Sequence, residues 1–262
     1  MNTTTQAERE IAVSNQIIQI PLRQTGRIAG VLYLIIIVAG IYAQFFVRSS
    51  LIVPGEAAAT AANVASSHEL FRTGLAADLI MILSDVALAV AFFVLLRPIS
   101  TGLSLLAAFF RLVQASILGA NLLNLFIGMQ LALRAGVSVA TEPFDAVALI
   151  FFDTHSFGYA IGLAFFGVSI LVLGYLVYRA AYLPSILGVL LMIAAFGYLT
   201  DTFARILLPG YAAYEMVFTV VVFVPAIIAE LSMAIWLLVK GVRDVPAPSV
   251  VSELASSPAG YA

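Results

Sequence analysis

Cysteine is absent from the 262 residues, which excludes disulfides, thiolate nucleophiles and Cys-ligated metal or iron–sulfur centres. Charge is nearly absent too. Asp, Glu, Lys and Arg make up 10% of the chain and the net charge is −2, so nucleic acid is excluded as a partner by charge. Of the two histidines only His155 falls within an apolar stretch, and a zinc site of several His ligands cannot be assembled there. A mixed set of His155, Asp78 and Asp201 is a weak metal-site pattern. No lysine lies inside an apolar run to form a Schiff base, and no G-x-S-x-G elbow, glycine-rich phosphate loop or H-E-x-x-H occurs. What the chain has is hydrocarbon: 63% hydrophobic residues and a mean hydropathy of +1.10.

Apolar runs near residues 27–47, 70–96, 102–133, 146–178, 185–208 and 214–239 are each long enough to cross a bilayer core, which takes about 20 residues. They predict an all-α, polytopic fold with a six-helix transmembrane bundle in the lipid bilayer. Residues 1–26 read as a polar tail, 27–243 as the membrane domain and 244–262, rich in Ser and Pro, as a disordered tail. Residues 49–69 are too polar to span. Within them Pro54-Gly55 breaks the chain, Glu56 suits a helix start, and the alanine-rich 57–65 predicts a short surface helix in the first extracytoplasmic loop. Ser66-Ser-His-Glu69 fits a capping box at the start of the second span. Arg9, Arg23, Arg27, Arg97, Arg179, Lys240 and Arg243 fall on one side, against Arg48, Arg72 and Arg134 on the other. Both termini are therefore expected to be cytoplasmic.

Each ionisable group in such runs needs a reason, since a charge at the bilayer centre costs about 2.5–3.5 kcal/mol on insertion scales. Asp85 and Arg111 lie at similar depth on the two arms of one hairpin and are expected to pair. Glu230, Gln114 and Asn121 are secondary candidates at mid-depth, and Pro225 leaves the Val221 carbonyl without its helical donor. Nearer the outer face, Asp78, Asp153, His155, Asp201 and Arg205 are candidates to bind a ligand or protons. Asp201 and Arg205 are spaced to pair on one helix, while Asp153 and His155 point to opposite sides of theirs. Asp78 and Glu230 have no evident partner. The competing reading is that these groups only join helices. The same applies to the G-x-x-x-G sequences at Gly26–Gly30 and Gly158–Gly162, which favour close packing first and dimerisation second.

Arg48-Ser-Ser-Leu-Ile-Val-Pro-Gly-Glu-Ala-Ala-Ala-Thr-Ala-Ala-Asn63 resembles the first extracytoplasmic loop of a bacterial integral-membrane family, domain of unknown function 4386. The similarity continues through Leu70–Asp78, Leu95–Pro98, Ala107–Leu112, His155, Phe165–Gly167, Leu173–Tyr175, Leu183-Pro184, Gly197–Asp201 and Pro225. The resemblance implies a multi-helix fold in a bacterial cytoplasmic (inner) membrane; it carries no activity, cofactor or ligand.

Three functions fit these residues. The leading expectation is an outward-facing polar cavity that binds a small polar ligand or lipid headgroup, with proton-linked transport as one use of it. Asp78, Asp201 and His155 would make the contacts above an Asp85–Arg111 floor. The alternatives are an intramembrane metal- or His-assisted lipid hydrolase and a structural or accessory subunit without a site. A homo-oligomer or a membrane partner is compatible with all three, and the sequence names no cofactor.

Overall fold

The computed structural model describes residues 22–135 and 143–242. The tails expected over 1–26 and 244–262 lie outside the described residues, except that 22–26 already form the first turn and a half of helix. Helix α1 (Leu22–Ile41) runs on through a π-helical segment, Tyr42–Arg48, and one more α turn, Ser49–Leu51, as a single apolar rod. It starts before residue 27 and ends past 47 because Ala43, Val47 and Leu51 still have a buried face to fill. Then follow α2 (Ala57–Ser66), α3 (His68–Leu96), α4 (Thr101–Ala135), α5 (Phe144–Arg179), α6 (Ser185–Leu207) and α7 (Glu215–Val239). Extended α1 and α3–α7 are the six rods long and apolar enough to cross a membrane, and no strand occurs among the described residues. At 35 and 36 residues, α4 and α5 are about 52–54 Å long, well beyond the thickness of a bilayer core.

Each rod packs on its neighbours in the chain, and α7 returns to pack on α1, so the six close into a ring. The surface helix α2 lies on α4 and α5, into which it buries Thr60, Ala61 and Val64. Three apolar clusters hold the ring, a small one of Met81, Ile82, Ala115 and Leu118 between α3 and α4 and two larger ones. At the end where Leu22 and Val242 lie (the near end), Leu95, Leu96, Val177, Leu187, Leu237 and Val242 belong to one. At the far end, Val47, Leu51, Phe71, Leu125, Met129 and Phe152 belong to the other. The outward faces carry Leu83, Leu123, Ile150 and Val239, all more than 60% exposed, which suits a lipid solvent.

The two G-x-x-x-G sequences both sit at close contacts between helices. A Cβ on Gly30 would stand 2.8 Å from Leu238 Cγ and 3.1 Å from the Ala234 carbonyl oxygen, so α1 and α7 touch backbone to backbone there. A Cβ on Gly158 would stand 2.5 Å from Asn121 Oδ1. Both G-x-x-x-G sequences are thus spent on contacts within the chain. The expected capping box does not form. Ser66 is still in α2, its hydroxyl donating to the Asn63 carbonyl, and the N-cap of α3 is Ser67 without a side-chain bond. With one residue between the helices, Glu69 cannot reach back, and it meets His68 and Arg72 instead. Glu56 is the N-cap of α2 rather than a member of its first turn, with its carbonyl accepting from Thr60 N.

Candidate functional site

A cavity of about 140 Å³ lies inside the ring, and all six spans line it. Most of its wall is hydrocarbon: Ile36, Ile37 and Ile41 of α1, Met81 and Ile82 of α3, Leu118 of α4, Leu163 and Phe166 of α5, and Phe223, Ala226 and Ile227 of α7. Its polar lining is Asp85, Gln114, Tyr159, Tyr198 and Glu230. The volume is close to that of an engineered protein cavity that admits benzene, roughly 150 Å³.

Asp85 and Arg111 meet as a buried ion pair. Arg111 Nε donates to Asp85 Oδ1 at 2.7 Å, and Nη2 stands 2.6 Å from the same oxygen but off the hydrogen-bonding direction. The guanidinium, 2% exposed, is caged by the rings of Tyr33, Phe92 and Phe166 at 5.6, 6.0 and 5.0 Å. Such ring faces attract a cation by up to about 2 kcal/mol when water is excluded. Asp85 Oδ2 and Gln114 Oε1 are buried without a hydrogen-bond partner, and both residues face the cavity.

Glu230 sits across the cavity. Its Oε1 accepts a 2.8 Å hydrogen bond from the Tyr198 hydroxyl, and the Tyr33 hydroxyl lies beside it outside hydrogen-bonding geometry. Among the described residues no Lys, Arg or His nitrogen is within 4.0 Å of it; Arg111 acts on it only at longer range. One guanidinium therefore serves two carboxylates.

Asp78 is not in the cavity wall. It pairs with Arg48, which the π-helical segment of α1 turns inward, and Gln44 Oε1 accepts from Arg48 Nε at 2.9 Å. Arg48 is not the loop cation expected from its sequence position: it is 8% exposed and inside the bundle. π-Helical turns shift the facing of a helix by part of a residue and recur where a side chain must be redirected. His155 and Asn121 bond reciprocally across α4 and α5. Asn121 Nδ2 donates to the His155 carbonyl at 2.8 Å, and His155 Nδ1–H donates to the Asn121 carbonyl at 3.2 Å. That leaves Nε2 as a buried acceptor without a partner. Tyr159, one turn along, lies within electrostatic reach of Arg48, Asp78, Asp85 and Glu230, so the two buried pairs share one field.

Asp201 belongs to a third group, at the far end of α6. It accepts from Arg205 Nε at 3.1 Å and from the Tyr211 hydroxyl at 2.6 Å, and Arg205 continues to Glu215 at 3.4 Å. The Tyr211 ring, in the turn between α6 and α7, stacks under the Arg205 guanidinium at 4.6 Å. Burial and the bond to Asp201 push the Tyr211 phenol up from its ordinary value. Asp153 is exposed on the outside of α5, opposite His155. Asp78, His155 and Asp201 are all buried, but in separate hydrogen-bonded groups and not around one space. Of the candidates in the sequence only Asp85, Gln114 and Glu230 face the cavity. Tyr33, Tyr159 and Tyr198 were missed, because a tyrosine in an apolar run looks like core until it is seen beside a carboxylate or in a cavity wall. Among the described residues no three His, Asp or Glu side chains gather as metal ligands.

Residues 28–241 match the family described as Domain of unknown function (DUF4386). An "Uncharacterized protein" of Archaeoglobus fulgidus is 32% identical over 179 residues, covering 68% of this chain and 86% of its own length. No solved structure matches.

Proposed function

This chain belongs to the DUF4386 family, a membership that assigns no activity, and from its geometry we propose a membrane protein whose central cavity binds a small ligand against a positive charge accepted at Glu230. The observation that carries the reading is a carboxylate facing an intramembrane cavity with no ion-pair partner among the described residues. A carboxylate taken out of water without a partner costs several kcal/mol, so the states open to Glu230 are a bound proton and a bound cation. Asp85 is already balanced by Arg111, which makes Glu230 the variable member of the three. Exchange of a proton for a cationic ligand at one carboxylate is the elementary step of proton-linked transport, and the bundle has the cavity for it.

The same proposal has both termini on the cytoplasmic side of a bacterial cytoplasmic membrane. With Arg48 buried in the bundle, the far end keeps Arg72 and Arg134 as exposed cations, whereas Arg23, Arg27, Arg97, Arg179 and Lys240 cluster at the near end, and this supports that orientation. The hydrolase reading has less in its favour: His155 Nδ1 is taken up by a carbonyl, and no carboxylate or hydroxyl is hydrogen-bonded to Nε2.

Infrared difference spectra of the full chain in nanodiscs, titrated with acid, test the reading. A protonated-carboxyl band that is present in the wild type and Asp78→Asn, and missing from Glu230→Gln, is the expected result. An identical band in Glu230→Gln would refute it.

A further inference from the structure

The walls of the cavity say where its ligand comes from. Towards the near end the space is closed by Tyr33, Phe92, Phe166 and the caged Arg111. Towards the far end Phe71, Leu125 and Phe152 close the α3–α5 side, and the Arg48–Asp78 pair lies beneath them. On the α6–α7 side, Tyr211 stacks on Phe218 at 5.3 Å and Arg205 lies over Tyr211. The seam between α1 and α7 is different. The two helices touch backbone to backbone at Gly30, against Ala234 and Leu238, and touch again as rings, Phe45 on Phe223 at 5.1 Å. Between these contacts the cavity leaves a gap bordered by both helices. Ile37, Gly40 and Ile41 on one side and Phe223, Ala226 and Ile227 on the other line the cavity at that gap. The surface outside it is apolar: Val38, Val224 and Ile228 are each about half exposed.

Resting on the reading of Glu230 above, we infer that the cavity takes a small lipophilic amine that enters sideways from the hydrocarbon through the gap between α1 and α7, under the Phe45–Phe223 contact. The lining selects this class. A hard metal ion wants a shell of six or more oxygens at short range, and the cavity wall is mostly Ile, Leu, Met and Phe. A benzene-sized body fills it, and one ammonium satisfies Glu230, with Asp85 Oδ2, Gln114 Oε1 and the Tyr198 oxygen as further acceptors. An amine crosses hydrocarbon as its neutral base. On arrival its nitrogen lone pair takes the Glu230 proton: the N–H bond forms as the O–H bond breaks, and an ammonium–carboxylate pair remains. The gap between α1 and α7 thus acts as a filter, because only a molecule that partitions into lipid reaches the carboxylate.

The test uses the full chain in nanodiscs, benzylamine as probe and benzyl alcohol as its neutral counterpart. The absence of cysteine allows Phe45→Cys/Phe223→Cys to be bridged by a short thiol cross-linker at that one place. Benzylamine should bind about tenfold or more tightly than benzyl alcohol, and Glu230→Gln should abolish that preference. Bridging should slow benzylamine association about tenfold and cleavage of the bridge should restore it; Ile41→Trp, which fills the gap from α1, should slow it without a cross-link. An unchanged association rate in both blocked forms would overturn the sideways route. Equal affinity for amine and alcohol would overturn the ligand class. Either failure alongside loss of the Glu230 carboxyl band leaves the parent reading intact; an unaltered band in Glu230→Gln defeats the parent reading itself.

Discussion

Tyr198 on α6 donates its hydroxyl to Glu230 on α7 across 2.8 Å, and this bond is the only hydrogen bond to that carboxylate among the described residues. It sets which oxygen of Glu230 is occupied and leaves the other for a proton or ligand. Tyr198→Phe should keep the fold, cost about 1 kcal/mol of stability and move the protonated-carboxyl band of Glu230 to higher frequency. Infrared spectra and detergent unfolding check the two parts separately; an unmoved band would show that the bond is not formed in the membrane.

Asp85 and Arg111 are expected to behave as a unit. Arg111→Leu leaves an unpaired buried carboxylate and should cost about 3–5 kcal/mol, whereas Asp85→Leu/Arg111→Leu should cost less than that single change. A double-mutant cycle on unfolding in detergent gives the coupling, and strictly additive losses would contradict the pairing.

Asp78→Asn removes one charge from the Arg48 pair and should destabilise the far end, by about 3 kcal/mol if Arg48 stays buried. Because Asp78 is outside the cavity wall, benzylamine affinity should hold within about twofold. A loss of binding without loss of stability would return Asp78 to the ligand site that the sequence suggested.

Gly158 faces Asn121 Oδ1 at a distance no methyl group tolerates. Gly158→Ala should push α4 from α5, break the reciprocal Asn121–His155 bonds and lower stability by about 1–3 kcal/mol. Gly119→Ala, on the facing helix α4 with nothing within 4 Å, is the control and should be close to neutral. Thermal unfolding of the pair reads the difference.

Tyr211 lies outside the spans, and its phenol is held above the ordinary range. A raised value means that the neutral form is favoured in the folded state, so its contribution is complete below about pH 10 and fades as pH rises through the folded value. The wild type should lose stability above about pH 10 more steeply than Tyr211→Phe. Parallel curves would remove Tyr211 from the far-end network.

The spans, the surface helix and the pairing of Asp85 with Arg111 were legible because each follows from local rules: hydropathy, alanine richness and equal depth on one hairpin. Asp201–Arg205 followed from helical spacing in the same way. Arg48 was misread because a π-helical segment has no sequence signature; its turn carries the guanidinium from an expected loop to Asp78. His155 and Asp201 were grouped by expected depth but do not share a direction, as His155 faces α4 and Asp201 faces the turn before α7. The cavity was invisible because it depends on α7 closing against α1, a contact between the two ends of the chain that no local pattern reports.

That closure also has a consequence for how the protein is made. Chain order brings out α3 and then α4, so the aspartate of the first can be neutralised by the arginine of the second as soon as both are in the bilayer. The lone carboxylate arrives last, on α7, after its tyrosine donor is already in the membrane on α6. Until that final segment leaves the translocon the ring has an open flank, so quality control acting on half-inserted chains would see an unfinished wall rather than a stranded charge.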